Sequence, residues 1–327
     1  MRASRSGRRS AFRVIGSLLL LSLVCPGSVL RAADARLRVA VTVLPQAWLV
    51  QRIGGEAVDV LVVVGPGESP HTFQPTDAQV TELSRVPLYF RIGVAAERGP
   101  WFRALQSLED LRMVDLRDDL AMLPMGEHSH SHGDEGHEHG DHGHEHDHDD
   151  QGSEEDGDSA GLDPHVWLSP RRLVTMTERV AHELAAVDPD GSSVYEEGRA
   201  RLVAELEALD AELRNRLAPL AGTAFIVFHP AWGYFADDYD LRQVAIEIEG
   251  KEPSEIELTR LAREARQLDV RAIFVQPQIT GRSAQAIAAA VGAEVVTLDP
   301  LAPDVARNLR RVTELLVATA PLAPGKR

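Results

Sequence analysis

The feature that most constrains the fold is an alternation of short apolar runs with helical patterns, which occurs in two blocks. Most of these runs are rich in β-branched residues, and they end at turn residues and are followed by segments with helical spacing. Such runs are typical of parallel strands connected by helices, so the pattern predicts an α/β protein with two parallel-sheet lobes. The predicted strands are residues 37–44, 58–64, 88–92 and 112–115 in the first block, and 224–228, 243–246, 272–275 and 294–298 in the second.

One long helical pattern lies between the two blocks. Its leucines recur every three or four residues and would form one apolar stripe; they are Leu202, Leu206, Leu209, Leu213 and Leu217. Ser193 and Glu196 have the spacing of a capping box at its start. A helix of about 25 residues would be about 37 Å long, so we interpret it as a rigid connection. The predicted divisions are an N-terminal lobe over 34–190, a linking helix over 191–221 and a C-terminal lobe over 222–327.

The first 33 residues have the pattern of an export signal. Several arginines precede an apolar run over residues 14–24, and small residues follow it. The run is shorter than a typical membrane span, although a retained anchor is the alternative interpretation. Cys25 could carry a lipid, but Val24 stands where a small residue is usual. We therefore expect a periplasmic protein, with lipid anchoring at Cys25 as the less favoured form.

Cysteine usage and charge limit the chemistry of the exported chain. Cys25 is the only cysteine, and the formal net charge is −16. If the signal is removed, disulfide bonds and thiolate metal ligands are excluded, and any metal must be held by histidine and carboxylate groups. The acidic balance argues against nucleic-acid binding, which needs a basic surface.

A segment rich in histidine and acidic residues interrupts the first block from about residue 125 to 160. Residues 127–150 contain no aliphatic or aromatic side chain, so they cannot bury enough apolar surface to offset the entropy of ordering. We expect a disordered insertion that is a low-affinity accessory to a metal site elsewhere, or alternatively a spacer that only keeps the chain soluble. Its nine histidines are His128, His130, His132, His137, His139, His142, His144, His146 and His148.

Three histidines outside the insertion are candidate ligands of one metal ion. His71 lies in the loop after the second strand, His165 precedes a helix predicted over 169–184, and His229 follows the fifth strand. Ligand sites in open α/β sheets gather at the carboxyl ends of strands, where Asp299 also lies. Three imidazoles and one carboxylate would form a closed tetrahedral site of the kind that zinc accepts.

Each of these residues also has a simpler interpretation. A single loop histidine is commonly solvated or caps a turn, and Asp299 before a proline could begin a turn or cap the last predicted helix. The remaining histidine, His182, lies off the apolar stripe of its helix, and we interpret it as a surface residue. Spacing alone therefore leaves the metal site as one interpretation among others.

Four short motifs, taken together, resemble a known family. They are SPHTFQPT (69–76), DPHVWLSP (163–170), FHPAWGYF (228–235) and TLDPL (297–301), in this order and with the His-rich insertion before the second. They resemble the substrate-binding proteins of zinc and manganese ABC importers, over essentially the whole chain after the signal. The resemblance implies two α/β lobes bridged by a rigid helix, with the metal in the cleft between them. It implies that His71, His165 and His229 are ligands and that Asp299 is a fourth, although some zinc members use water or another residue there.

The resemblance also bears on the metal and the role. Members that resemble manganese binders tend to have a carboxylate at the position of His229, so imidazole there favours zinc, as does the His-rich insertion. Gln276 stands where relatives often have glutamate, which removes one charged group from the cleft and makes Gln276 a candidate neighbour of the ligands. The implied function is that of a monomeric Zn²⁺ carrier, not an enzyme, that supplies an ABC permease in the inner membrane.

Other functions stay open at this point. They are a manganese or mixed-metal carrier, a zinc-storage protein or adhesin dominated by the insertion, and a zinc hydrolase. A hydrolase needs an open metal position and a general base, and the sequence contains no H-E-x-x-H motif. With ligands on two lobes and a long helix between them, we expect local loop motion, rather than wide opening, to accompany metal release.

Overall fold

The computed structural model describes residues 36–125, 161–247, 252–278 and 282–320. The predicted export signal with Cys25 lies outside the described residues, and so does the His-rich insertion with its nine histidines. The described residues form two parallel sheets of four strands each, with helices between successive strands. This arrangement confirms the predicted α/β class.

The N-terminal lobe contains a sheet with the strand order β2-β1-β3-β4. Its strands are β1 (Leu37–Val41), β2 (Val58–Val62), β3 (Leu88–Arg91) and β4 (Arg112–Asp115). Its helices are α1 (Leu44–Gly54), α2 (Asp77–Leu83), α3 (Pro100–Gln106) and α4 (Pro170–Val187). The strands begin where the predicted apolar runs begin, because β-branched and aromatic side chains pack well on a pleated surface.

The linking helix α5 (Ser192–Leu217) is 26 residues long. Its five stripe leucines are each at most 1% exposed, and burial of such side chains contributes about 2 kcal/mol each. The stripe therefore decides which face of α5 is buried, and α5 packs against both α1 and α4. At Gly198, an added Cβ would come within 2.0 Å of the backbone oxygen of Ile53 in α1, so the absence of a side chain permits this close approach.

The two helix starts predicted from the sequence have different outcomes. Ser169 caps α4, since its hydroxyl accepts a hydrogen bond from the N–H of Arg172 at 3.1 Å. The predicted capping box at Ser193 is wrong, because the N-cap position of α5 is Gly191, which makes no side-chain cap. A short 3₁₀ turn, Pro189–Gly191, runs directly into α5 and moves its start upstream.

The C-terminal lobe repeats the same topology, with the strand order β6-β5-β7-β8. Its strands are β5 (Ala224–Val227), β6 (Arg242–Ala245), β7 (Ala272–Val275) and β8 (Glu294–Thr297). Its helices are α6 (Gly233–Asp238), α7 (Glu255–Gln267), α8 (Arg282–Val291) and α9 (Val305–Thr319). The carboxyl ends of β5, β6 and β8 precede His229, Glu247 and Asp299, which each follow by two residues.

The lobes share part of their core. One cluster of buried apolar side chains extends from β1 and β3 through α4 and α5 to α6 and α9, and a smaller cluster involves β7, α7 and α8. The residue limits predicted for the lobes stay predictions, since the described residues belong to one compact unit. None of the described helices combines the length and the apolar character that a membrane span requires.

Candidate metal site

The three predicted histidines meet between the lobes. His71 and His165 come from loops of the N-terminal lobe, and His229 follows β5 in the C-terminal lobe. One possible ligand atom from each residue can be chosen so that all three atoms lie within 4.8 Å of one another. The His229 ring meets those of His71 and His165 edge-on, at centroid distances of 4.6 and 5.2 Å.

This spacing is close to what one zinc ion requires. Zinc–imidazole bonds are about 2.0–2.1 Å long, which places the nitrogens of a tetrahedral site about 3.3 Å apart. The three ligand atoms, at separations of up to 4.8 Å, would converge on one ion after side-chain movements on the order of 1 Å. The arrangement is therefore suited to a single small cation with nitrogen ligands.

Strand register places Glu247 behind His229. The parallel ladder pairs Val227 of β5 with Ala245 of β6, and it continues as the N–H of Glu247 donates to the carbonyl of Phe228 at 2.9 Å. Nδ1 of His229 is 3.2 Å from both Glu247 carboxylate oxygens, which assigns the ring proton to Nδ1. Within the described residues, the buried Nε2 has no hydrogen-bond partner, so its lone pair is available to a metal ion.

A second carboxylate orients His165. Oδ1 of Asp163 accepts the N–H of His165 at 2.9 Å and lies 2.6 Å from its Nδ1. Both side chains are almost completely buried. With Nδ1 engaged, Nε2 is the nitrogen of His165 that is left for a metal ion.

Sequence reasoning missed both carboxylates. The signal for Asp163 is local, because it stands two residues before His165 in the motif D-P-H. The signal for Glu247 is not local, because it emerges only when β5 and β6 are aligned in register. A search of strand ends for pairs of histidine and carboxylate would have found it.

His71 has a different environment. The residue as a whole is exposed, but its ring packs against that of His229. Desolvation, followed by the proximity of His229 and His165, lowers the pKa of His71 to about 4. His71 is therefore neutral at pH 7, the form in which an imidazole binds metal.

Asp299 lies at the same sheet edge but outside the group of three. Its Oδ1 accepts the N–H of Leu301 at 3.0 Å and the amide N–H of Gln278 at 3.2 Å. Asp299 also lines a cleft of about 130 Å³ together with residues 65–67 of the other lobe. The structure therefore places Asp299 between the lobes, engaged with its own loop.

The place of Gln276 beside the ligands stays a prediction, whereas the exposure of His182 is tested by the structure. Gln276 directly follows β7 at the carboxyl edge of the second sheet and is 9% exposed. His182 is exposed on α4, which confirms its interpretation as a surface residue. It is well suited to serve as a control in experiments on the histidine cluster.

Imidazoles with carboxylates behind them, held between two parallel-sheet lobes, define a metal-binding protein of the two-lobed class. Comparison with known families identifies which family within this class the chain matches. The family described as zinc-uptake complex component A, periplasmic (ZnuA), matches residues 39–313. The chain belongs to this family, as the four motifs indicate.

Individual relatives agree with this assignment. The zinc-binding lipoprotein AdcA of Streptococcus pneumoniae serotype 4 is 27% identical over 293 residues, which cover 88% of this chain and 54% of AdcA. The chain thus spans about half the length of the curated relatives it matches first. A crystal structure of ZnuA is 34% identical with a TM-score of 0.73, and covers 86% of this chain and 98% of that one. A ZnuA deletion mutant with zinc bound is 35% identical with a TM-score of 0.73, and covers 88% and 99%.

Proposed function

We propose that this protein binds Zn²⁺ in the periplasm and delivers it to an ABC-type permease of the inner membrane, as a carrier and not as an enzyme. The observation that carries the proposal is the cluster of His71, His165 and His229, whose ligand atoms lie within 4.8 Å of one another. Membership of a zinc-uptake family supports zinc as the ion, and so does similarity to a zinc-bound ZnuA.

The donor atoms favour zinc over the alternatives. Manganese prefers oxygen ligands, whereas the cluster offers three imidazole nitrogens. The carboxylates of Asp163 and Glu247 contact the Nδ1 atoms of their histidines, so they orient ligands and are not free to serve as a general base. This arrangement supports a carrier rather than a hydrolase.

Asp299 is the proposed fourth ligand, with water as the alternative. Its Oδ1 already accepts two hydrogen bonds, so Asp299 would bind zinc through its other oxygen or after its loop moves. Gln276 is proposed to lie near the ion without adding charge. Asp299→Asn should therefore weaken zinc binding if the carboxylate is a ligand, and leave it unchanged if water completes the site.

The remaining proposals concern the His-rich insertion and the N-terminus, which lie outside the described residues, and the oligomeric state of the protein. We propose that the nine histidines of the insertion are low-affinity accessory ligands and that the exported protein is a monomer. Lipid attachment at Cys25 is the less favoured form of the mature N-terminus. A carrier of this kind shows one tight site above a weak background, whereas a storage protein binds several ions with similar affinity.

Calorimetric titration of a shortened protein tests the carrier function. Deletion of residues 127–158 removes all nine insertion histidines and leaves three residues to connect Met125 to Gly161, whose backbones are already hydrogen-bonded at 2.6 Å. We expect one tight Zn²⁺ site per chain to remain. In the same shortened protein, His229→Ala should abolish that site, whereas the matched control His182→Ala should retain it.

Two results would contradict the proposal. Loss of the tight site on deletion of residues 127–158 would show that the insertion binds the metal, and would favour the storage alternative. Retention of the tight site in His229→Ala would show that the cluster between the lobes does not hold the ion.

A further inference from the structure

The loop that carries His165 is held at the stem of the insertion. The N–H of Asp163 donates to the carbonyl of Leu123 at 2.8 Å, and the N–H of Met125 donates to the carbonyl of Gly161 at 2.6 Å. The chain before the insertion and the chain after it therefore run side by side. Because Asp163 also accepts both N–H groups of His165, the position of Asp163 sets the position of the ligand nitrogen.

Tyr234 of the C-terminal lobe binds both sides of this stem. Its hydroxyl donates to the carbonyl of Asp163 at 2.7 Å and accepts the N–H of Leu123 at 3.1 Å. The side chain is completely buried, and the guanidinium of Arg172 lies 4.3 Å from the ring centroid. Burial raises the pKa of Tyr234 to about 12, so the hydroxyl keeps the proton that it donates.

A second hydrogen bond between the lobes lies on the other side of His165. Nε1–H of the buried Trp167 donates to the carbonyl of Pro300 at 2.7 Å. His165 is thus flanked by contacts to the C-terminal lobe, which also carries His229. For His71, in contrast, the N–H donates locally, to the hydroxyl of Ser69 at 3.3 Å.

We propose that Tyr234 is a positioning residue for zinc binding, whose hydroxyl fixes the His165 loop of one lobe against the lobe that carries His229. The inference rests on the proposed function, because it concerns the same three histidines. Without the hydroxyl, the carbonyl of Asp163 and the N–H of Leu123 each lose a hydrogen-bond partner. His165 then departs more often from its position beside His229, and a bound ion dissociates faster.

Tyr234→Phe in the full-length protein tests this role, because it removes the hydroxyl and keeps the ring under Arg172. We expect the rate of Zn²⁺ transfer to a chromophoric chelator, measured by stopped flow, to rise about tenfold, the lower end of the effect of losing a partner that orients a ligand. The matched control is Tyr239→Phe, which removes a buried hydroxyl that donates to Asp210 at 3.1 Å, away from the histidines. Its transfer rate should equal that of the wild type.

Melting temperatures measured without zinc separate positioning from general stability. If Tyr234→Phe lowers the melting temperature but transfers zinc no faster than Tyr239→Phe, the positioning role is overturned while the proposed function stands. If the wild type itself has no tight zinc site, the proposed function fails instead.

Hydrogen exchange of the wild type gives a test that needs no variant. The Leu123 amide donates to Tyr234 without any metal contact, so we expect it to be protected both with zinc and after removal of zinc by a chelator. Free exchange of this amide in the zinc-free protein would overturn the proposal. It would mean that the hydrogen bond between Leu123 and Tyr234 forms only after zinc has bound, so that it could not position His165 beforehand.

Discussion

At the scale of single residues, two histidines of the cluster owe their availability to a neighbouring carboxylate. A neutral imidazole has one N–H and one lone pair, and the partner of the N–H decides which nitrogen faces the metal. Glu247 and Asp163 contact Nδ1 of His229 and His165, so both rings present Nε2. For His71, desolvation lowers the pKa to about 4, so this imidazole is neutral at pH 7.

The role of Glu247 leads to a graded prediction. Glu247→Gln keeps an acceptor for Nδ1–H but removes its charge, and we expect zinc affinity to fall about tenfold; Glu247→Ala removes the acceptor, and the loss should approach a hundredfold. Competition titration with a chelator of known affinity measures both. Glu264→Gln, which alters a carboxylate paired with Arg242 at 3.5 Å on the surface, should leave the affinity unchanged. Equal affinities for Glu247→Ala and the wild type would contradict an orienting role.

At the scale of elements, α1 and α5 approach each other closely at Gly198. The backbone of Ile53 in α1 lies where a Cβ would be, so the two helices pack without a side chain between them. Glycine lowers the intrinsic stability of a helix interior by about 1 kcal/mol relative to alanine, and here the close packing outweighs that preference. This contact helps to fix α5 to the N-terminal lobe.

We therefore expect Gly198→Ala to destabilise the protein, although alanine is the better helix former. A clash with backbone requires the helices to separate, and overpacking of this kind lowers the free energy of unfolding by about 1–3 kcal/mol. Denaturant unfolding of the zinc-free protein measures the change. Ala204→Ser, which adds one atom on the exposed face of α5, should change it by less than about 0.5 kcal/mol. A stabilised Gly198→Ala would show that α1 and α5 can separate without loss.

At the scale of the whole molecule, the lobes are joined by more than one helix. The shared core passes from the first sheet through α4 and α5 to α9, and buried polar contacts add to it. Asp238 of the C-terminal lobe accepts the hydroxyl of Ser169 at 2.5 Å and pairs with Arg172 at 3.3 Å. Wide separation of the lobes would expose this apolar surface and leave Asp238 without its partners.

We therefore expect zinc to change loops rather than the overall shape. Small-angle scattering curves with and without zinc should coincide within error, whereas hydrogen exchange should slow on zinc binding in the loop around His71. Residues 282–291, which form α8, serve as the control segment with unchanged exchange. A clear fall in the radius of gyration on zinc binding would contradict this and indicate closure of an open form.

The sequence by itself determined the positions of the strands and of the long helix, because hydrophobic periodicity depends only on residues that are neighbours in the chain. Short apolar runs located the eight described strands, the leucine stripe located α5, and three motifs located the histidines that meet between the lobes. Only the tertiary structure decided which residues distant in sequence support those histidines. The register of β5 and β6 brings Glu247 to His229, and the packing of the lobes brings Tyr234 to the His165 loop. These contacts join residues that are distant in sequence, so a local sequence pattern cannot predict them. Periodicity within one helix or strand depends only on neighbouring residues and can therefore be predicted from the sequence.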